Sequence, residues 1–297
     1  MMAQFGPVLT AMATPFDADG VLDLDAAQKL ADYLVANGND GLVLAGTTGE
    51  APTLTYAEQV DLIRAVVESV PDATIVAGAG SNDTAAAKEL TSKVTAAGAD
   101  AVLLVTPYYN RPHQEGLYDH FSSAAAATDL PVMLYDIPVR TGRKLDTETI
   151  YRLAEIENIT ALKDAAGSPA ETAMVIANTP DTFDVYSGDD ALTLPLLAVG
   201  AVGIVGVATH WVGREMQAMV TAFNAGNVDE AIRLNTLMQG SFTFEAMDDA
   251  PNPMPTKAML AAMGIKVGAC RPPLSSPPKD LDQRANTLLA EIERSRN

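Results

Sequence analysis

Eight short apolar runs alternate with eight helix-period segments along this chain, and that alternation limits the fold more than any other feature. The apolar runs lie at residues 8–12, 41–45, 74–79, 101–105, 132–136, 159–163, 183–187 and 203–207. They are rich in Val, Ile, Leu and Ala and have no long polar face, as expected of strands covered on both sides. The helix-period segments lie at 25–37, 56–70, 84–97, 114–127, 146–156, 169–178, 189–200 and 211–224. Thr55 with Glu58 three residues on predicts a capping box, and Thr147 predicts another helix start. Asn37-Gly38 and Gly98 predict helix stops. Eight such units predict an α/β chain folded as a (β/α)8 TIM barrel, since doubly wound sheets usually hold about five to seven strands. After residue 224 the strand pattern ends. Residues 228–247, 255–264 and 279–295 read as helices between Pro-rich turns. Residues 1–224 are therefore expected to form the barrel, and 225–297 a helical segment packed on it.

A parallel barrel keeps its chemistry at the C-terminal ends of its strands. Lys163 ends the sixth apolar run, Ile159-Thr-Ala-Leu-Lys163. Partial desolvation there lowers the pKa of an amine, and a neutral amine attacks a ketone to form a Schiff base. The alternative is a lysine that reaches to solvent or pairs with Asp164. Tyr135 ends the fifth run, so its phenol is expected within one small ligand of Lys163. Arg140 follows on the next loop and offers a bidentate carboxylate clamp. Gly46-Thr47-Thr48-Gly49-Glu50 follows the second run, where backbone N–H groups and hydroxyls can cradle a small carboxylate. Thr106-Pro107-Tyr108-Tyr109-Asn110-Arg111-Pro112 follows the fourth, with two tyrosines held between prolines. Tyr186-Ser187-Gly188-Asp189-Asp190 and Gly203-Ile204-Val205-Gly206 close the set, with glycines that let a ligand approach the backbone. Barrels often bind phosphate at these last two positions, but neither loop here carries Lys or Arg. The Asp189-Asp190 pair reads as a helix cap rather than a metal site, because the three histidines (His113, His120 and His210) are scattered.

The formal charge of −19 argues against nucleic acid or an anionic membrane as partner. Cys270 is the single cysteine, so no intrachain disulfide forms, and a cytoplasmic location is expected. Residues Met1 to Pro7 lack the basic start of a signal peptide, and no apolar run approaches the ~20 residues of a membrane span. Amine, phenol, hydroxyls and guanidinium around one mouth point to Schiff-base chemistry on a small ketoacid, with Tyr135 moving protons.

Taken together these residues resemble the dihydrodipicolinate synthase / N-acetylneuraminate lyase superfamily of pyruvate aldolases. The similarity runs from Pro7 to about Pro273 and includes Asn252-Pro253-Met254-Pro255-Thr256-Lys257. The GTTGE form, the TPYYNRP segment and Arg140 look most like the dihydrodipicolinate synthase branch. The resemblance implies that Lys163 forms a covalent Schiff base with pyruvate and that no cofactor or metal is needed. It implies a proton relay of Tyr135, Thr48 and Tyr109, with Tyr109 entering from a neighbouring subunit of a homotetramer built as a dimer of dimers. It further implies that Thr47 and Thr48 hold the pyruvate carboxylate and that Gly188 and Ile204 line its pocket. Arg140 would bind the carboxylate of L-aspartate 4-semialdehyde, and the product would be 4-hydroxy-tetrahydrodipicolinate, on the way to diaminopimelate and lysine.

Two departures stand out. Asp136 occupies a position where many members carry Asn. In the pocket through which sensitive members respond to lysine, Asn82 and Tyr108 match, but Tyr56 and Gln59 replace histidines and Ala86 replaces a glutamate. Weak or absent lysine inhibition is therefore expected. Two other functions stay open: a same-superfamily aldolase or dehydratase acting on a 2-keto-3-deoxy sugar acid, and a non-catalytic barrel that binds a ketoacid or amino acid.

Overall fold

The computed structural model describes residues 3–296. Eight parallel strands close into a barrel in chain order. They are β1 (Val8–Ala11), β2 (Gly41–Leu44), β3 (Thr74–Gly78), β4 (Ala101–Val105), β5 (Val132–Asp136), β6 (Ile159–Asp164), β7 (Asp184–Ser187) and β8 (Gly203–Gly206). The ring closes where β1 pairs with β8, Val8 opposite Ile204. Around it lie α1 (Leu24–Ala36), α2 (Tyr56–Ser69), α3 (Thr84–Ala96), α4 (Gln114–Ala125), α5 (Pro138–Thr141) and α6 (Thr147–Ala154). The circuit continues with α7 (Pro169–Asn178), α8 (Thr193–Ala198) and α9 (Thr209–Asn224). The chain then adds α10 (Val228–Glu245), α11 (Met254–Ala262) and α12 (Leu281–Arg296).

Both faces of each strand are apolar because they serve two different cores. Leu9, Ala11, Val43, Val76, Ala101, Leu103, Met133, Ala161 and Val205 fill the barrel interior. Their alternating neighbours Leu42, Leu44, Ile75, Val102, Leu104, Leu134 and Leu162 pack outward against the helices. Side chains alternate along a strand, so this parity fixes what reaches the mouth. Ala161 points in, and Lys163 two residues later points in as well. Met133 and Tyr135 stand in the same relation. A further core joins α9 to α10, α11 and α12 through Trp211, Met216, Met219, Phe242, Phe244 and Met259.

Local signals explain the helix ends. Thr55 and Glu58 form the predicted capping box: the Thr55 side chain accepts the Glu58 N–H, and Glu58 Oε2 accepts the Thr55 N–H at 2.8 Å. Asn37 caps α1, with Gly38 in the left-handed region behind it. At α6 the cap is Asp146, one residue before the predicted Thr147. The expected helix at 189–200 divides into a 3-10 turn at Asp190–Leu192 and α8. The sequence pattern offers no sign of α5, a single turn started by Pro138 and stopped by Gly142 at φ +71°. Among the described residues no helix is long and apolar enough to cross a membrane.

Candidate active site

Lys163 and Tyr135 face each other across β5 and β6, where they are register partners. Lys163 is buried at 4% exposure, and its Nζ lies 4.3 Å from the centroid of the Tyr135 ring. The ring face stabilises the cation while leaving the amine no bound anion. Asp164 does not neutralise it. That carboxylate accepts the Ala166 N–H at 2.9 Å and the Thr172 hydroxyl at 2.6 Å. Among the described residues no carboxylate lies within ion-pair distance of Lys163 Nζ. Burial lowers the amine to about 8, against the upward pull of Asp190 and Glu245 and with a smaller push from Arg140. Roughly a tenth of the side chain is then neutral at pH 7. Gly188 makes this placement possible, since a Cβ there would lie 3.0 Å from both Lys163 Cγ and Ala165 Cβ.

Burial also raises the Tyr135 phenol to about 12, opposed by a hydrogen bond with Thr47 and by Arg140. The phenol therefore keeps its proton at neutral pH. The two threonines of the expected site have different partners. Tyr135 meets Thr47, whereas the Thr48 hydroxyl accepts from Asn252 Nδ2 at 2.9 Å. The tight turn around the Gly46–Glu50 segment does not rest on its glycines. The residues with positive φ are Ala45 (51°) and Glu50 (55°), not the glycines. Gly49 is needed for close packing, because a Cβ there would lie 3.1 Å from Ala45 N and Met12 O. Non-glycine residues held at positive φ store strain, and such residues gather at functional sites.

Residues before and within α11 hold this turn in place, a role the sequence did not reveal. Lys257 Nζ meets Glu50 Oε1 at 2.7 Å, with both side chains almost fully buried. Lys257 also donates to Ala269 O at 3.0 Å, and Glu50 Oε2 accepts the Arg271 N–H at 2.8 Å. Arg271 and Lys257 both stack on Phe16, 4.2 and 4.3 Å from its ring centroid. Tyr186, next to last in β7, is the register partner of Lys163 but turns away, its hydroxyl accepting the Phe5 N–H at 3.1 Å.

The remaining candidates divide. Ile204 is fully buried on β8. Arg140 is exposed on α5, yet its charge reaches both Lys163 and Tyr135. Tyr109 stands 90% exposed with φ at 72°, its N–H bonded to Thr141 O at 3.4 Å. Asp189 caps its turn through the Ala191 and Leu192 N–H groups, as a capping aspartate should. Asp190 departs from that expectation and points inward. The histidines serve structure: His210 takes the Ala13 N–H on Nε2 and holds Val207 O through Nδ1, while His120 bonds Thr84. Among the described residues no group of three His, Cys, Asp or Glu side chains is placed to hold a metal ion.

The profile of the dihydrodipicolinate synthetase family matches residues 4–292. The chain belongs to this family. It is 50% identical to a 4-hydroxy-tetrahydrodipicolinate synthase of Moorella thermoacetica over 289 residues, 97% of this chain and 98% of the relative. A solved dihydrodipicolinate synthase of Bacillus anthracis superposes with a TM-score of 0.92 at 47% identity, covering 99% of both chains. Another from Cyanidioschyzon merolae, with lysine bound, gives 0.94 at 43% identity over 97% of this chain and 98% of that one.

Asp136 gives this dihydrodipicolinate synthetase family member a pH-dependent weak point. Its carboxyl is raised to about 7, first by burial and then by Asp164, its register partner. The raised folded pKa means that the folded state binds the proton more tightly than the unfolded chain. The resulting stability is full below about pH 4 and is lost as pH rises through 7. Asp136→Asn keeps the acceptor for the Leu145 N–H and removes the charge. It is expected to raise Tm at pH 8 by about 3 °C or more, the effect of about 1 kcal/mol in a large domain, with a clearly smaller rise at pH 5. Thermal melts at the two pH values check this, and a lower Tm at pH 8 would contradict it.

Proposed function

We propose that this chain condenses pyruvate with L-aspartate 4-semialdehyde to give 4-hydroxy-tetrahydrodipicolinate through a Schiff base on Lys163. The observation that carries the reading is a buried amine, lowered to about 8, over the ring of a buried phenol at the strand ends of a barrel in this family. The neutral amine adds to the ketone carbon of pyruvate, and loss of water gives an iminium. The iminium withdraws electrons, so the adjacent methyl loses a proton to form an enamine. The enamine carbon attacks the aldehyde, whose oxygen takes a proton. The amino group of the second substrate then displaces Lys163 and closes the ring.

Tyr135 is the proton carrier, and the hydrogen bond it makes favours Thr47 as its next link. Thr48, fixed by Asn252, presents the turn to the pyruvate carboxylate, with Gly188 and Ile204 lining the pocket. Arg140 supplies the positive charge for the carboxylate of the semialdehyde. Tyr109 serves the site of a second copy, within a dimer of dimers, a reading supported by its exposure and its strained backbone.

The purified protein, supplied with both substrates and a downstream reductase, should turn over. Arg140→Ala should raise KM for the semialdehyde about tenfold or more, the cost of one charge-assisted hydrogen bond. Cleavage of a 2-keto-3-deoxy sugar acid without any condensation would overturn the reading. Tyr135→Phe should lower kcat by about 10²–10⁴-fold while the fold survives; near-native turnover would reduce Tyr135 to packing. Lys163→Ala and Tyr109→Phe subunits, each weakly active alone, should regain activity when dissociated and reassembled together. Such hybrids contain one site with both residues intact, and no recovery would exclude a shared site.

Free L-lysine should inhibit weakly or not at all. Its ammonium would find Ala86 where sensitive members place an acid, and Lys93 Nζ already lies 5.6 Å from the Tyr56 ring centroid. A buried charge without a partner costs several kcal/mol. Strong saturable inhibition at submillimolar lysine in an initial-rate titration would contradict this.

A further inference from the structure

Two carboxyl groups meet beside Lys163, and the chemistry above uses neither. Asp190 is 1% exposed, within the Asp190–Leu192 turn that follows β7. Its Oδ2 accepts the Val207 N–H at 2.9 Å and its Oδ1 the Ala208 N–H at 3.1 Å. Gly206 leaves it room, since a Cβ there would lie 2.8 Å from Asp190 Oδ1. Glu245, the last residue of α10, closes on Asp190 and hydrogen-bonds to its carboxyl. No donor from the rest of the described residues reaches its buried Oε2.

Two carboxyl oxygens bond only when one of them carries a proton. Asp190 has two N–H donors and holds the negative charge. Glu245 has none and holds the proton, and its carboxyl is raised well above the usual range by burial and by Asp190. The charged and titratable groups facing this cluster are Lys163 on β6 and Asp189 on the same turn, with Tyr135 and Arg140 next to these across the mouth; the Tyr186 hydroxyl turns away to Phe5.

We propose that Asp190 and Glu245 are positioning residues that share one proton and hold one negative charge beside Lys163, as the counter-charge of its Schiff-base nitrogen. The inference rests on the Schiff-base reading above. One charge serves both states of the lysine. With none, the iminium would stand unbalanced in a dry site. With two, the lysine would be held as an unreactive ammonium.

Infrared difference spectroscopy of the whole protein near neutral pH tests the shared proton without any turnover. The wild type should show the carbonyl band of a protonated carboxyl that Glu245→Gln loses; an unchanged band overturns the pair. The double variant Asp190→Asn with Glu245→Gln removes the charge. The pKa governing kcat/KM for pyruvate should then fall by about one unit, leaving about tenfold more neutral amine below that pKa. KM for pyruvate should rise about tenfold, because the iminium has lost its counter-charge. A merely structural role would leave the pKa in place, and a folded double variant with the wild-type pKa overturns the proposal. Failure of the condensation assay is separable, because the infrared result does not depend on substrate.

Discussion

Removing the Lys163 amine from water is the constraint on which the rest of the site depends. An ammonium in a dry, low-dielectric mouth loses hydration that no single contact restores. The structure therefore surrounds it with weak compensation rather than a direct ion pair: the Tyr135 ring at 4.3 Å and the more distant carboxyl pair of Asp190 and Glu245. A contacting carboxylate would raise the amine and keep it protonated. Asp164, the nearest in sequence, is instead committed to Ala166 and Thr172 on the outer side of the strand. The amine remains close enough to neutrality to act as a nucleophile, yet a positive intermediate would still find favourable potential.

The C-terminal helices follow from the same requirement. The Ala45–Glu50 turn contains a carboxylate at 3% exposure and two strained residues, so alone it would be unstable. Lys257 and the Arg271 backbone satisfy Glu50, and Asn252 fixes Thr48. Breaking a buried pair on one side strands a charge, which costs about 3–5 kcal/mol. The end of α10 delivers Glu245 to the opposite side of the mouth. These helices thus complete a site whose reactive groups all come from the barrel.

Regular features were legible in the sequence because period-2 and period-3.6 patterns report directly on burial. Ala161 and Lys163 share parity, as do Met133 and Tyr135, so both reactive side chains could be placed at the mouth from the strands alone. The capping box at Thr55 was legible for the same local reason. Long-range contacts were not. Glu245 lies at the end of an ordinary amphipathic helix, and its partner Asp190 looks like a second capping aspartate until the barrel closes. Tyr186 has the sequence position of a mouth residue, but its hydroxyl is claimed by Phe5, 181 residues away. The glycines of the last two loops also answer to long-range packing: Gly188 makes room for Lys163, Gly203 for the Pro7 backbone and Gly206 for the Asp190 carboxyl. Which of the adjacent threonines meets Tyr135 was not legible either: Thr47 bonds the phenol, while Thr48 is held by Asn252 from 204 residues away.

The most direct test of this account is chemical trapping of the amine. The protein is incubated with pyruvate and borohydride, digested, and its peptides weighed. A single reduced adduct on Lys163, formed faster as pH rises toward about 8, is the predicted result. Labelling of a different lysine, or no pyruvate-dependent label at all, would contradict the central claim.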